Sequence, residues 1–196
     1  MSSPLHFQHV NVKLLASEGP GVDLQLLIPI FHGWIRDRVF DELLLDVADY
    51  RHVPEGPGVV AIGHQANYSV DNTDGRLGVR YNRKAVLEGS NADRLVQASR
   101  AALAAFQTLE SDPALKGALR FGGRDVEVFI NDRALAPNSD ATRAAARPDF
   151  AAFFSRLFGG AEYTLLQETE PRRLFGVRAR TSKIFTLAEL LANLGS

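Results

Sequence analysis

The sequence predicts an α+β fold in which two copies of a strand–helix–hairpin–helix unit form a largely antiparallel, pseudo-twofold sheet with packed helices. The first observation is that residues 66–80 and 161–178 share one order, namely Ala-x-Tyr, a turn, Arg-Leu and Gly-Val-Arg. The second is a Val-x-Val strand upstream of each segment, at 10–12 and 126–128. The third is a helical pattern with Pro-x-Phe between each strand and its hairpin. An internal repeat of this kind sets the architecture of the whole chain.

The duplication predicts a definite register between the two hairpins. We expect Tyr68 to superpose on Tyr163 and Val79 on Val177, together with the helices that precede the hairpins. Unrelated strand directions in the two segments would contradict the duplication.

The first copy begins with a strand at 9–15, which a Gly/Pro turn at 18–21 ends. Asp23 is a suitable N-cap for the helix that follows, whose apolar residues recur at helical spacing. Pro29 lies inside that pattern and predicts an irregular helix start. The alternation of apolar and polar residues then predicts a hairpin over 65–84 around a Thr-Asp-Gly turn.

A long helix is predicted to close the first copy, over residues 91–110. Ser90 is its N-cap and Asp93 completes a capping box. Its buried stripe is predicted to consist of Leu95, Ala98, Ala102, Leu103 and Phe106.

The second copy repeats this order of elements. Its strand covers 124–131, and its phenylalanine-rich helix ends at the glycine pair 159–160. A hairpin over 161–183 follows, and Thr186 with Glu189 forms the capping box of a short last helix.

The two repeats cover 1–116 and 117–196, and we expect them to form one compact structural domain. The first repeat contains an insertion at 41–64 that the second lacks. Its apolar runs at 43–47 and 59–62 predict two buried strands on either side of a Pro/Gly-rich loop. Insertions in one copy of a repeat often carry function, and they also arise by neutral drift.

The composition limits the classes of function. The 196 residues have a net charge of -1, which argues against nucleic-acid binding. The chain has no cysteine, which excludes thiolate chemistry and cysteine-ligated metals. No secretory signal or membrane-spanning run is present in the sequence, so we expect a cytoplasmic protein without membrane contact.

The insertion contains one group of candidate catalytic residues, Asp46, Asp49, His52 and His64. Carboxylates and imidazoles supply acid–base pairs and ligands for a divalent metal. Their spacing matches no established metal motif, and the identity of any metal stays open. The alternative is that Asp49 caps a turn and the histidines are ordinary polar residues.

A second group consists of basic residues and predicts an anion site. Arg80 and Lys84 belong to the first hairpin, and Arg178 and Arg180 to the second. Strand alternation places Arg80 and Arg178 on the polar face if the neighbouring valines face the core. Twofold pairing of the copies would then bring the groups together for a phosphate or carboxylate. The alternative is that these charges protect exposed strands from aggregation.

Aromatic residues recur on the two predicted helices, at Phe31 and Trp34 and again at Phe150, Phe153 and Phe154. They could line an apolar pocket or a dimer interface. We predict that they form core, with Trp34 mostly buried.

These patterns favour a soluble binding or assembly module that forms a homodimer, with a small anionic ligand as a candidate partner. No nucleophile elbow, phosphate loop or dinucleotide fingerprint occurs in the sequence, and no cofactor is identified. The alternative is a small enzyme, metal-assisted, with its site in the 41–64 insertion.

Overall fold

In the computed structural model, which describes residues 5–19 and 21–195, eight antiparallel strands form one sheet and four α-helices pack on it. The strands are β1 (Val10–Ala16), β2 (Leu44–Tyr50), β3 (Gly58–Gly63), β4 (Ala66–Asp71), β5 (Gly78–Arg83), β6 (Phe121–Ile130), β7 (Tyr163–Gln167) and β8 (Phe175–Thr181). The helices are α1 (Leu27–Asp37), α2 (Asn91–Glu110), α3 (Asp140–Leu157) and α4 (Leu187–Leu194). The strand order is β2-β3-β4-β5-β1-β6-β8-β7, so the predicted α+β fold with an antiparallel sheet is confirmed.

The four described helices cover one face of the sheet. Trp34 of α1 lies against Tyr68 of β4, with 6.2 Å between ring centroids. Gln97 of α2 donates a hydrogen bond to the Tyr81 hydroxyl of β5. The phenylalanines of α3 pack against β8, and α4 packs on α2 and α3. Strand alternation points apolar side chains of β1, β6 and β8 to this same face, which closes the core.

The predicted helix ends agree with the observed capping. Asp23 caps a short 3-10 turn at Leu24–Leu26, and α1 starts only at Leu27. The irregular start places Pro29 in the first turn of α1, where its missing N–H removes no helical hydrogen bond. The reciprocal capping box of Ser90 and Asp93 starts α2 as predicted. The turn predicted at 18–21 includes Pro20, which lies outside the described residues.

Trp34 belongs to the core, as predicted, with 4% of its surface exposed. Its ring lies 4.7 Å from that of Phe31 and 4.9 Å from that of Phe40, measured between centroids. Phe150, Phe153 and Phe154 of α3 are buried in the same hydrophobic cluster. These aromatic residues therefore fill the layer between helices and sheet.

The insertion forms a hairpin of β2 and β3 at one edge of the sheet. The buried strand predicted at 59–62 is confirmed within β3. The strand predicted at 43–47 is also present, but the prediction that it is buried is wrong. It is the terminal strand of the sheet, and Leu45 is 55% exposed. None of the described helices is long and apolar enough to cross a membrane.

Candidate functional site

The face of the sheet that the helices leave uncovered carries charged side chains. Arg80, Lys13, Glu127 and Arg178 stand on β5, β1, β6 and β8, each directly opposite the next. Because directly opposed side chains have Cβ atoms about 5 Å apart, these four residues form one continuous charged row. The centre of the row is buried, since Lys13 and Glu127 are each 2% exposed.

Lys13 pairs with Asp71 at the end of β4. The Nζ atom of Lys13 lies 2.6 Å from Oδ1 of Asp71, which is fully buried. Asp71 also accepts hydrogen bonds from the backbone N–H and the hydroxyl of Thr73. Burial lowers the pKa of Lys13 below its usual value, and the charge of Asp71 opposes that shift. A buried ion pair is weak evidence for a stabilising role, because removing two charges from water offsets their attraction.

Arg80 is the member of the row with unused hydrogen-bond donors. Its Nη1 lies 3.5 Å from Oδ2 of Asp71, and its buried Nε has no hydrogen-bond partner among the described residues. Its guanidinium carbon lies 5.4 Å from the centroid of the Phe129 ring, within cation–π range. A guanidinium has five N–H donors, so Arg80 keeps several for a bound acceptor.

A glycine allows Phe129 to lie beside the row. Gly176 is directly opposite Phe129 in the β6–β8 register. A Cβ atom on Gly176 would come within 2.5 Å of Cδ1 of the ring. Any larger residue would displace the ring from this position.

Three loops border the charged row and form a half-open cavity of about 300 Å³, called the roofed pocket from here on. They are the β4–β5 turn at 72–77, the β6–α3 loop at 131–139 and the β7–β8 loop at 168–174. The lining contains six basic side chains, Lys13, Arg76, Arg80, Arg133, Arg172 and Arg173. It contains four acidic side chains, Asp71, Asp74, Glu127 and Glu168. Phe129 and Leu174 supply its apolar surface.

Ion pairs hold two of these loops over the row. Arg173 of the β7–β8 loop donates to Asp74 of the β4–β5 turn and lies 3.2 Å from Glu168. Arg76 lies between Asp74 and Glu127, with its Nε 2.8 Å from Oε1 of Glu127. The carboxylate of Asp74 thus joins both loops to the sheet, and the pairing with Arg173 lowers its pKa.

A second groove of about 760 Å³ continues along the same face of the sheet, and Arg76 borders both cavities. Arg178 and Arg180 share Asp125 there, each with Nε 2.8 Å from Oδ1. Burial raises the pKa of Asp125, but hydrogen bonds from Arg180 and Arg178 outweigh that effect and hold it below its usual value. These two arginines are therefore already neutralised in part.

The structure does not bring the four predicted anion-binding residues into one cluster. Arg80 and Arg178 lie on the polar face, as the strand period predicts, but β1 and β6 separate them. Arg180 lies in the second groove. Lys84 follows the end of β5 and donates to the backbone oxygen of Gly63. Anion binding by these residues stays a prediction, and Arg80 alone of the four lines the roofed pocket.

The structure also does not bring Asp46, Asp49, His52 and His64 together. The two histidines lie at opposite ends of β3, a strand of six residues that spans about 20 Å. Hydrogen bonds from Arg51 occupy Asp49 and lower its pKa to about 2. Within residues 5–19 and 21–195, no three His, Asp or Glu side chains lie close enough to hold a metal ion.

Sequence reasoning missed the buried centre of the site, Lys13, Asp71 and Glu127. The available signal was a charged residue between apolar residues on β1 and on β6, the two strands that carry Val-x-Val. That pattern is typical of a solvent-exposed face. All three loops that border these charges are distant in sequence from Lys13, and their position could not be derived from the strands.

Comparison of the chain with protein-family models, with curated proteins and with solved structures gave no match.

Proposed function

We propose that the protein is a binding module whose ligand is a small anion held in the roofed pocket. The observation that carries this proposal is that Lys13 and Arg80 share Asp71 as their one carboxylate partner among the described residues. The neighbouring carboxylate of Glu127 pairs with Arg76, so two cations share one carboxylate at this end of the pocket. An anion would complete the pairing through charge-assisted hydrogen bonds, which are roughly twice as strong as neutral ones.

The size and charge of the pocket support a small ligand. A cavity of about 300 Å³ lies at the lower end of the range for ligand sites. The pocket has two more basic than acidic side chains although the whole chain has a net charge of -1. The positive charge is therefore local to this site, which is what recognition of an anion requires.

We also propose that the fold arose by duplication, with 1–116 and 117–196 as the copies. The order β4-β5-β1 on one side of the sheet centre is mirrored by β7-β8-β6 on the other, which supports this proposal. Lys13 and Glu127 then occupy equivalent strands on the two sides of a central axis. Homodimer formation and a cytoplasmic location stay predictions, the first tested by sedimentation of the purified protein.

An enzymatic function is the alternative. The roofed pocket contains a lysine with a lowered pKa next to carboxylates, and such groups are suited to proton transfer. The reaction site predicted in the 41–64 insertion is not favoured, because its four residues lie apart.

Thermal denaturation with added phosphate, acetate or succinate tests the proposal. Any anion that binds should raise the melting temperature, by about 5–10 °C at a hundredfold excess over its Kd. Arg80→Gln should remove most of this shift because it deletes the free donors. The matched control is Arg36→Gln, which removes one charge from a side chain that is 76% exposed on α1.

The control variant should keep the full shift. The absence of a shift with every anion in the unmodified protein would contradict the proposal. An equal loss in both variants would assign the effect to overall charge and would contradict it as well.

A further inference from the structure

We infer that the ligand of the roofed pocket is a dianion, with its two anionic groups separated by a short hydrocarbon segment. This inference depends on the proposed function and deepens it by naming the class of ligand. The inference follows from the distribution of charge inside the pocket. Basic side chains without enough carboxylate partners lie at two separate places.

The first positive place is the inner end of the pocket, on the sheet. There Lys13 and Arg80 both pair with the carboxylate of Asp71, while Glu127, which stands opposite Lys13, pairs with Arg76. The Nε atom of Arg80 has no hydrogen-bond partner in the part of the chain that is described. One anionic group would pair with these donors.

The second positive place is formed by two loops. Arg133 of the β6–α3 loop and Arg172 of the β7–β8 loop both line the pocket. Neither has a carboxylate partner within the described ranges, whereas the other four basic side chains of the lining do. Nη2 of Arg133 donates to the backbone oxygen of Arg172 at 2.6 Å, so the two residues are held next to each other.

The rest of the lining has more negative than positive side chains, and these pair with one another. Glu127, Asp74 and Glu168 form their ion pairs with Arg76 and Arg173, although Glu127 also stands directly opposite Lys13 on the sheet. A second anionic group would be repelled here and attracted at the two loops. The charge distribution therefore favours one anionic group at each positive place.

The apolar part of the lining fits a hydrocarbon segment. Phe129 lies beside Arg80 at the inner end, and Leu174 follows Arg172 by two residues at the outer end. A volume of about 300 Å³ has room for a small dianion of this kind.

Titration calorimetry with two matched series of probes tests the inference. The dicarboxylates are succinate, glutarate and adipate, and the monocarboxylates of the same chain lengths are butyrate, valerate and hexanoate. We expect one dicarboxylate to bind at least about tenfold more tightly than its matched monocarboxylate, which corresponds to about 1.4 kcal/mol. The length that binds best reports the separation of the two positive places.

Two variants test which side chain binds the ligand at each end of the roofed pocket. Arg172→Gln should weaken the dicarboxylates more than the matched monocarboxylates, because Arg172 is exposed and contributes only to the outer end. Arg80→Gln should weaken both series, and Arg80→Lys should restore part of the loss. Circular dichroism of each variant verifies the fold.

Each contrary result has a distinct meaning. Equal binding of the two series would overturn the dianion and would leave the small-anion proposal in place. Equal weakening of both series by Arg172→Gln would overturn the two-ended arrangement. Binding of neither phosphate nor any carboxylate would overturn the proposed function together with this inference.

Discussion

Replacement of Lys13 by methionine should lower the free energy of unfolding by about 3–5 kcal/mol, the usual effect of removing one partner of a buried ion pair. Asp71 would remain fully buried, with the Thr73 donors and the guanidinium of Arg80 at 3.5 Å as its remaining partners. The lysine at 2.6 Å is the nearest cation to Asp71, and a buried carboxylate that loses part of its compensation is costly. The loss of stability would arise because the charge of Asp71 stays buried with fewer partners, and not because the contacts of the lysine itself are missing.

The double replacement Lys13→Met with Asp71→Asn should recover most of that loss. It removes both buried charges, and the asparagine oxygen still accepts from Thr73. Neutral replacement of a buried pair is often harmless or stabilising, so we expect the double variant within about 1 kcal/mol of the unmodified protein. It should nevertheless bind anions weakly, because the inner end of the roofed pocket loses its ammonium group.

Urea denaturation measures these changes. With a slope of about 1–3 kcal/mol per molar, the single replacement should lower the midpoint by about 2 M with no change in slope. The control is Arg51→Met with Asp49→Asn, which removes a pair of similar length at 2.7 Å whose side chains are 32% and 40% exposed. That pair should contribute no more than about 1 kcal/mol.

Two results would refute the reasoning. A loss below about 1 kcal/mol for Lys13→Met would show that Asp71 does not need its partner. A double variant as unstable as Lys13→Met alone would show that the intact pair stabilises the fold by itself. The presence of the buried pair would then be explained by stability alone, without a role in binding.

Three further predictions concern the core, the pH dependence and the helix caps. Trp34→Ala should cost about 3–5 kcal/mol in urea denaturation, since its side chain is 4% exposed; a loss below about 1 kcal/mol would place it outside the core. Asp125 has a lowered pKa in the folded state, so its contribution is present above its unfolded pKa of about 3.9 and is lost as the pH falls. Asp125→Asn should therefore be less stable than the unmodified protein at pH 7 and nearly equal to it at acidic pH, and a gap that persists in acid would contradict this cause. Ser90→Ala should cost about 1 kcal/mol by removing the cap of α2, whereas no change in the thermal midpoint would show the cap to be unnecessary.

The sequence predicted those parts of the fold that depend on neighbouring residues. The capping box of Ser90 and Asp93 and the alternation around Tyr68 are local patterns, and both were found as predicted. The burial of Lys13 depends instead on loops that are distant from it in the chain, which a single strand does not encode. Leu45 illustrates the opposite error, an exposed residue that was predicted to be buried. An apolar run indicates a strand, but it does not indicate whether another part of the chain will cover that strand.

The position of Glu127 directly opposite Lys13 has a consequence for the order of folding. These residues are more than a hundred positions apart, and the contacts between β1 and β6 are among the most non-local in the sheet. Closing so long a loop is entropically unfavourable and tends to occur late and slowly. Both hairpins can form before this step, but the pocket exists only after it. Ligand binding would therefore report completed folding, and a chain stalled with its halves apart would have nearly all its local structure and no binding site.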